Sequence, residues 1–317
     1  MRPVPPVPGR ICMGVLAALA ALAVFIPASA APAATVTLGG DWAPFTRCPV
    51  DDPAMLAADG TSSVAFCVAS DSPSGSIKIG NITAPTQDTN LQLGLVENTS
   101  TGAFSVVAPS GGAIVTAPIQ VPGGLLGLMC PSNIPVVSAV CQQITSSRLN
   151  AVTAVVQPAG NPSGFSLAAG LGTGTPIVTV PVKIQLRNPL LGPDCYLGSN
   201  SHPILLHPQN LTTPQVSSEQ FDANGTPDPS GVMFALVTTG GTQGDSSAAI
   251  PGATGCGLLG LLDFAVDLKV GLPSAAGNNT VTLNNASAYL VGLNDPAAAA
   301  PSDGKDLSSY WHSAVRS

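Results

Sequence analysis

The sequence predicts a mainly β protein with an antiparallel β-sandwich architecture and one or two short helices. Many short stretches alternate apolar and polar residues, as strands with one buried face do. Between these stretches lie clusters of turn-forming residues, since the 317 residues include 34 glycines and 31 prolines. Many short strands separated by such turns are typical of a sandwich.

The clearest strand lies within residues 175–188, which read TPIVTVPVKIQLRN. Alternate positions are apolar on one face and polar on the other. The residues predicted to be buried are Val180, Val182, Ile184 and Leu186. The residues predicted to be exposed are Lys183, Gln185 and Arg187. Pro181 removes a hydrogen-bond donor, so we expect this strand at a sheet edge or at a bulge.

The remaining strands are predicted from similar but shorter runs. They are expected at residues 35–38, 64–68, 76–82, 91–96, 104–108, 113–117, 152–156, 165–168, 232–238 and 280–291. Two segments, 133–144 and 258–270, suit short helices better. In the second, Asp263 and Asp267 fall on the more solvent-exposed face of the helix, beside an apolar stripe, although Gly260 weakens the pattern.

The pentapeptide Gly-Leu-Leu-Gly-Leu occurs at 124–128 and at 257–261, each time beside a cysteine and before a predicted helix. This repetition suggests two related β-rich halves, residues 31–160 and 161–292. The alternative is a chance match in a chain rich in Gly and Leu. Residues 293–317 lack a core pattern, so a linker and a disordered tail are predicted there.

Residues 1–30 have the pattern of a secretory signal peptide. Basic Arg2 and Arg10 precede an apolar stretch, 11–26, that is short for a membrane span, and Ala28-Ser29-Ala30 suits cleavage. We therefore predict a secreted, extracellular protein whose mature chain has no transmembrane segment.

Six cysteines follow the predicted signal peptide, an even number in an oxidising environment. We predict three disulfides between sequence neighbours, namely Cys48–Cys67, Cys130–Cys141 and Cys195–Cys256. The first and third would tie together the two ends of long loops that have little core of their own. The second would close a short local loop. A crossed pairing, Cys48–Cys130 with Cys67–Cys141, is the alternative.

The chain is acidic, with 17 Asp and Glu against 10 Lys and Arg. No basic cluster remains after the signal, which argues against nucleic acid as a partner. No two cysteines lie two to four residues apart, as zinc sites usually require. No metal or other cofactor is therefore predicted. Trp42 is interpreted as a core residue, and 222–228 as a turn in preference to a calcium loop.

Three segments resemble exported proteins of high-GC actinobacteria. They are 121–132 (VPGGLLGLMCPS), 180–199 (VPVKIQLRNPLLGPDCYLGS) and 250–281. The likeness covers most of the chain after the signal, without the C-terminal tail. Because these proteins have no assigned activity, the resemblance implies secretion and a shared fold but no site.

The leading hypothesis is a non-catalytic secreted or cell-surface-associated protein with a structural or binding role, whose partner is the cell surface or another protein. One alternative is an extracellular serine hydrolase. Residues 244–247 superficially resemble the serine stretch of trypsin-like proteases, and Ser246 would use His202 or His207 as its base. The other alternative is a carrier of an apolar ligand, with the Gly-Leu-Leu-Gly-Leu helices lining a pocket.

Overall fold

The computed structural model describes residues 36–129 and 148–316, and this part of the chain is mainly β with antiparallel sheets. Its strands are β1 (Thr37–Leu38), β2 (Ser63–Ser72), β3 (Ser74–Ile79), β4 (Ile82–Thr86), β5 (Thr89–Asn98), β6 (Ala103–Val107), β7 (Ile114–Thr116), β8 (Ile119–Gln120), β9 (Thr153–Pro158), β10 (Val180–Arg187), β11 (Tyr196–Leu197), β12 (Ile204–Leu206), β13 (Gln209–Asn210), β14 (Gln215–Phe221), β15 (Met233–Asp245), β16 (Ala253–Thr254), β17 (Thr280–Leu293) and β18 (Val315–Arg316). Its α-helices are α1 (Pro53–Leu56), α2 (Gly124–Met129), α3 (Leu167–Leu171), α4 (Asp263–Val270) and α5 (Asp303–Ser313). Short 3-10 turns lie at Gly40–Phe45, Arg148–Asn150 and Leu258–Gly260.

The strands form two main sheets. The large sheet has the order β13-β15-β17-β2-β5-β6, with β14 beside β15, β3 between β17 and β4, and β7 beside β5. The small sheet has the order β16-β11-β10-β9-β8, with β12 also beside β10. The terminal strands β1 and β18 pair with each other.

Both faces of the large sheet are covered. Its inner face packs against the small sheet, where Leu93 and Leu95 of β5 meet Val182 and Ile184 of β10 in one apolar core. Its outer face packs against the 3-10 turn at 40–45 and against α1 and α5 in a second core. The described chain is therefore a sandwich with a third, partly helical layer built from its two ends.

Strand β10 has the buried face that its alternation predicts. The four apolar residues Val180, Val182, Ile184 and Leu186 are each at most 4% exposed. The opposite face differs in part, because Arg187 is exposed but Lys183 and Gln185 are half-buried. The Nζ of Lys183 lies 5.0 Å from the centroid of the Tyr196 ring. The Nε2 of Gln185 donates a hydrogen bond to the carbonyl of Pro193 at 2.7 Å.

The expected edge position of β10 is wrong, because β9 pairs on one side and β11 and β12 pair on the other. The carbonyl of Pro181 accepts a hydrogen bond from the N–H of Ala159, just past the end of β9. Since the N–H and C=O of one residue point to the same side of an antiparallel strand, the missing donor faces a place where the β9 ladder has ended. A proline is tolerated there without a bulge.

The two predicted halves are not separate in the structure. Strand β9 pairs with β10, and β17 pairs with β2, so each sheet combines strands from both sides of residue 160. Residues from Thr35 onward form one compact unit. A boundary at residue 160 would divide both sheets.

The two Gly-Leu-Leu-Gly-Leu segments also differ. The first forms α2, and Leu125 and Leu128 are buried in the core between the sheets. The second begins with a 3-10 turn in which Leu259 has a φ of 56° and is 93% exposed. Gly260, with a φ of 77°, prevents one continuous helix over 258–270, so α4 begins only at Asp263. The pentapeptide match is therefore not a structural repeat.

The strand predicted at 165–168 is replaced by α3. Ser166 stands at the N-cap of this helix, and its Oγ accepts a hydrogen bond from the N–H of Ala169 at 3.2 Å. A serine at this position satisfies a helical N–H that otherwise has no partner. The local capping chemistry therefore overrides the short apolar pattern.

The disordered tail predicted at 293–317 is wrong as far as Arg316. Residues 303–313 form α5, in which Leu307 and Trp311 are buried against the outer face of the large sheet. The helix approaches α1 closely at Gly304, where any Cβ would overlap the carbonyl of Met55. The few apolar residues of this segment are sufficient to hold it in a helix on the sheet, because they complete a core formed by distant strands.

Two of the predicted disulfide pairs are present, Cys48–Cys67 and Cys195–Cys256. Three predictions lie outside the described residues: the Cys130–Cys141 pair, the helix at 133–144 and the signal peptide at 1–30. Within 36–129 and 148–316, no helix has the length and apolar character needed to cross a membrane. The two disulfides are consistent with an oxidising compartment.

Candidate functional site

A cavity of about 90 Å³ lies between the two sheets, and we call it the central cavity. Its apolar walls come from both sheets. They include Ile77, Leu91 and Ile114 of the large sheet and Ile119, Val156 and Val180 of the small sheet. Most of these side chains are β-branched and short, so the two faces do not fill the space between them. Well-packed interiors have few voids larger than a water molecule, and this space is an exception.

One part of the central cavity is polar. Its polar lining consists of Ser70, Ser72, Thr86, Thr89, Thr116, Gln243 and Asp245. Two of these side chains, Thr86 and Thr116, have a buried Oγ1 without a hydrogen-bond partner among the described residues. Buried hydroxyls are normally paired because losing water without compensation costs about 1–3 kcal/mol. The two hydroxyls can therefore bond a polar group placed in the cavity.

Three smaller cavities adjoin the central one. A cavity of about 70 Å³, which we call the side cavity, shares Ser70, Leu91, Pro208 and Gln243 with it. Cavities of about 50 and 30 Å³ share Ile77 and Val156 with it. The cavities between the sheets are therefore neighbours that share lining residues, and most of their lining is apolar.

The side cavity reaches close to the surface at α3. Phe165, Leu167 and Leu171 line the side cavity and also an open groove of about 470 Å³ on the outside. These three side chains are a barrier one residue thick between solvent and the interior. The segment around α3 is therefore the shortest route into the cavities from this groove.

Asn210 attaches the α3 segment to the large sheet. Its Nδ2 donates to the carbonyls of Gly170 at 2.8 Å and Gly172 at 2.9 Å. Its Oδ1 accepts from the Nε2 of Gln243 at 3.2 Å, and Gln243 lines both the central and the side cavity. The barrier and the cavity wall are thus joined by one buried amide, since Asn210 is 2% exposed.

Asp245, in the polar part of the central cavity, lies beside the residues expected for a hydrolase. Its Oδ1 accepts from the N–H and the Oγ of Ser247, both at 2.7 Å, and its Oδ2 accepts from the backbone N–H of His207 at 2.8 Å. The Nδ1 of His207 is 3.1 Å from the Oγ of Ser247. Asp245 and Ser247 belong to the stretch 244–247 that resembles the serine stretch of trypsin-like proteases, but the residue expected to react there is Ser246.

This arrangement differs from a catalytic triad. In a triad the carboxylate orients the histidine ring and the histidine receives the serine proton. Here the serine hydroxyl donates to the carboxylate, and Asp245 bonds the backbone of His207, not its ring. Ser246, the expected nucleophile, is exposed. His202 is hydrogen-bonded to its neighbour Ser201 at 3.1 Å on an exposed turn. The geometry stabilises a loop and does not prepare a nucleophile.

The other residues considered from the sequence have structural positions. Trp42 is fully buried and donates from Nε1 to the carbonyl of Ala223 at 3.1 Å, which places it in the core as expected. The Oδ1 of Asp222 accepts from the N–H groups of Asn224 and Thr226, both at 2.8 Å, which is a turn interaction. In the described ranges, no cluster of three or more His, Cys, Asp or Glu could hold a metal ion.

The acids of α4 do not lie on its solvent-exposed side as expected, although Val266 of the same helix is buried as an apolar stripe predicts. The carboxylate of Asp263 accepts from the N–H of Cys256 at 2.6 Å, and that of Asp267 accepts from the N–H of Ala253 at 2.7 Å. Burial raises the pKa of Asp267, although this hydrogen bond opposes the effect. The acidic groups therefore anchor the helix to the body of the protein. The large apolar side chains left exposed are Leu258, Leu259, Leu261, Phe264 and Leu268, and we call them the apolar patch.

The fold and its cavities define an antiparallel β-sandwich protein with an internal, mostly apolar site. No protein-family model, no curated protein and no solved structure matches the chain.

Proposed function

We propose that the protein is a non-catalytic, secreted binding protein that holds a small apolar ligand between its two sheets. The central cavity carries this proposal, because most of its walls are Ile, Leu and Val side chains from both sheets. Ligand sites are typically concave and apolar with a few polar groups that fix orientation. The adjoining cavities extend the same space, so an unbranched hydrocarbon chain fits it better than a compact ring system.

Two further observations support parts of this proposal. The two disulfides suit a protein that works outside the cytoplasm, and residues 1–30 have the pattern of an export signal. The contacts of Ser247 favour a binding role over hydrolysis, because its hydroxyl is committed to Asp245. In this proposal the protein is an exported actinobacterial protein, like those that it resembles.

The experiment fills the cavity and measures ligand-dependent stability. Val156 lines the central cavity and the two smallest ones, so V156F places a ring in this space. We expect n-hexane and 1-octanol each to raise the Tm of the wild-type protein and to leave that of V156F unchanged. A ligand at one hundred times its Kd stabilises the folded state by about 2.7 kcal/mol, which a thermal scan resolves easily.

V216F is the matched control, because Val216 is 51% exposed on β14 and lines none of the cavities described above. This variant should retain the wild-type response to both compounds. A wild-type protein that responds to neither compound would contradict the binding function. An equal response of V156F would mean that the effect arises elsewhere on the protein.

The second candidate is a structural role at the cell surface, and the apolar patch favours it. Soluble monomers rarely expose contiguous groups of large apolar side chains without an interaction role, and Leu259 is 93% exposed. In this proposal the patch contacts the apolar outer layer of the producing cell. The double variant L259S/F264S should move the protein from the cell-bound to the released fraction of a culture. An unchanged distribution, with V216S as control, would exclude this role for the patch.

A further inference from the structure

We propose that the ligand is an amphiphile with an uncharged, hydrogen-bond-accepting head group, such as an alcohol or an ester, bound at Thr86 and Thr116. This inference rests on the proposed binding function and specifies its ligand class. It is carried by the two buried hydroxyls that have no partner among the described residues and by the buried carboxylate in the same wall.

The two threonines lie on neighbouring parts of the large sheet. Thr86 ends β4 and pairs with Gly75, and Thr116 ends β7 and pairs with Thr89. Thr86 is 9% exposed, and both residues line the central cavity. A hydroxyl can donate one hydrogen bond and accept others, so a carbonyl or hydroxyl oxygen of the head group can accept a hydrogen bond from these donors.

The charge of Asp245 decides between neutral and anionic head groups. Asp245 is 6% exposed and lines the same cavity of about 90 Å³. The described residues provide it with hydrogen bonds but with no Lys or Arg ion pair. A second negative charge in this space would be desolvated and repelled. A fatty acid that binds as its carboxylate is therefore disfavoured relative to the alcohol of the same length.

The remaining cavity wall determines the rest of the ligand. Away from these polar residues, the lining of the adjoining cavities is mostly aliphatic, and it continues through the side cavity towards Leu167 and Leu171 at α3. In this proposal, the hydrocarbon tail of a ligand whose head group binds at Thr86 and Thr116 extends through the side cavity towards the groove. The α3 segment at that end of the side cavity is held in place by the buried amide of Asn210.

Calorimetric titration with three compounds of equal chain length tests the inference: 1-octanol, sodium octanoate at pH 7 and n-octane. We expect wild-type protein to bind 1-octanol at least ten times more tightly than octanoate. The variant T86V/T116V keeps the shape of both side chains and removes both hydroxyls. Its affinity for 1-octanol should fall about tenfold, a loss typical of one or two hydrogen bonds, while its affinity for n-octane should not change.

The variant is suitable because replacing unpaired buried hydroxyls with methyl groups does not remove a hydrogen bond of the folded state. T86S/T116S is the matched control, since it retains both hydroxyls and should retain the preference for 1-octanol. Equal binding of octanoate and 1-octanol, or wild-type affinity of T86V/T116V for 1-octanol, would overturn the head-group assignment alone. Failure of the wild-type protein to bind any of the three compounds would overturn the binding function as well.

Discussion

The Oδ2 of Asp303 accepts a hydrogen bond from the backbone N–H of Ala65 at 2.8 Å, although 238 positions separate the two residues. Asp303 is the first residue of α5 and is fully buried, and Ala65 lies in β2 within the large sheet. The other carboxylate oxygen, Oδ1, has no partner in the described part of the chain. This contact joins the C-terminal helix to the large sheet. It leaves one carboxylate oxygen buried without a hydrogen bond.

The stability of the protein should depend on pH through Asp303. Burial raises the pKa of Asp303 to about 6, and the charges of Asp306 and Asp59 act in the same direction, against the hydrogen bond from Ala65. Because the unfolded chain loses this proton near pH 4, protonation stabilises the folded state fully below about pH 4. This stabilisation is lost as the pH rises through 6.

D303N keeps an acceptor for the N–H of Ala65 and cannot ionise. Relative to wild type, its free energy of unfolding should increase by about 3 kcal/mol between pH 3.5 and pH 7, given about 1.4 kcal/mol per pKa unit. Urea unfolding at both pH values measures this difference. D194N, at an exposed aspartate, should show a much smaller change. A difference between D303N and wild type that is the same at both pH values would contradict the prediction.

The C-terminal helix should contribute to global stability. Leu307 is fully buried against the large sheet, so L307A should lower the free energy of unfolding by about 2–5 kcal/mol. K305A, two residues away on the exposed side, should change it by less than about 0.5 kcal/mol. Denaturant titration compares the two variants. Equal stability of L307A and wild type would mean that the helix is dispensable.

The core face of β10 should tolerate truncation poorly. Ile184 is 4% exposed and contacts the core between the sheets, so I184A should cost about 2–5 kcal/mol. L205A removes a side chain that is 42% exposed on the neighbouring β12, and it should cost much less. Unfolding curves in urea should separate the two variants. A smaller loss for I184A than for L205A would contradict the assigned register.

The two disulfides should stabilise the protein by different amounts. Cys195 and Cys256 are 61 positions apart, and Cys48 and Cys67 are 19 apart. In the chain-entropy treatment, these loops correspond to about 4 and about 3 kcal/mol. Paired Cys-to-Ser variants, compared by denaturant unfolding without reductant, should therefore rank in that order. A larger loss on removing the shorter loop would show that native contacts, and not loop entropy, dominate.

The buried face of β10 is readable from the sequence because strand alternation depends only on which residues are adjacent in the chain. Val182 and Ile184 face a core in any sandwich with this register. The pairs Cys48–Cys67 and Cys195–Cys256 follow from similar local reasoning about which loops need a covalent link between their ends. The mainly β class follows from the sum of such local patterns.

Three other features depend on contacts between distant residues. The carboxylate of Asp263 satisfies the N–H of Cys256, and hydropathy cannot distinguish such an acid from a solvated one. Leu307 is buried because the outer face of the large sheet lies beneath it. The candidate site has no local signal, since Thr86, Thr116 and Asp245 come from three strands of the large sheet and line one cavity only where the small sheet packs over them. Packing across sheets is a property of the assembled fold, because it depends on side-chain volumes from strands that are far apart in sequence.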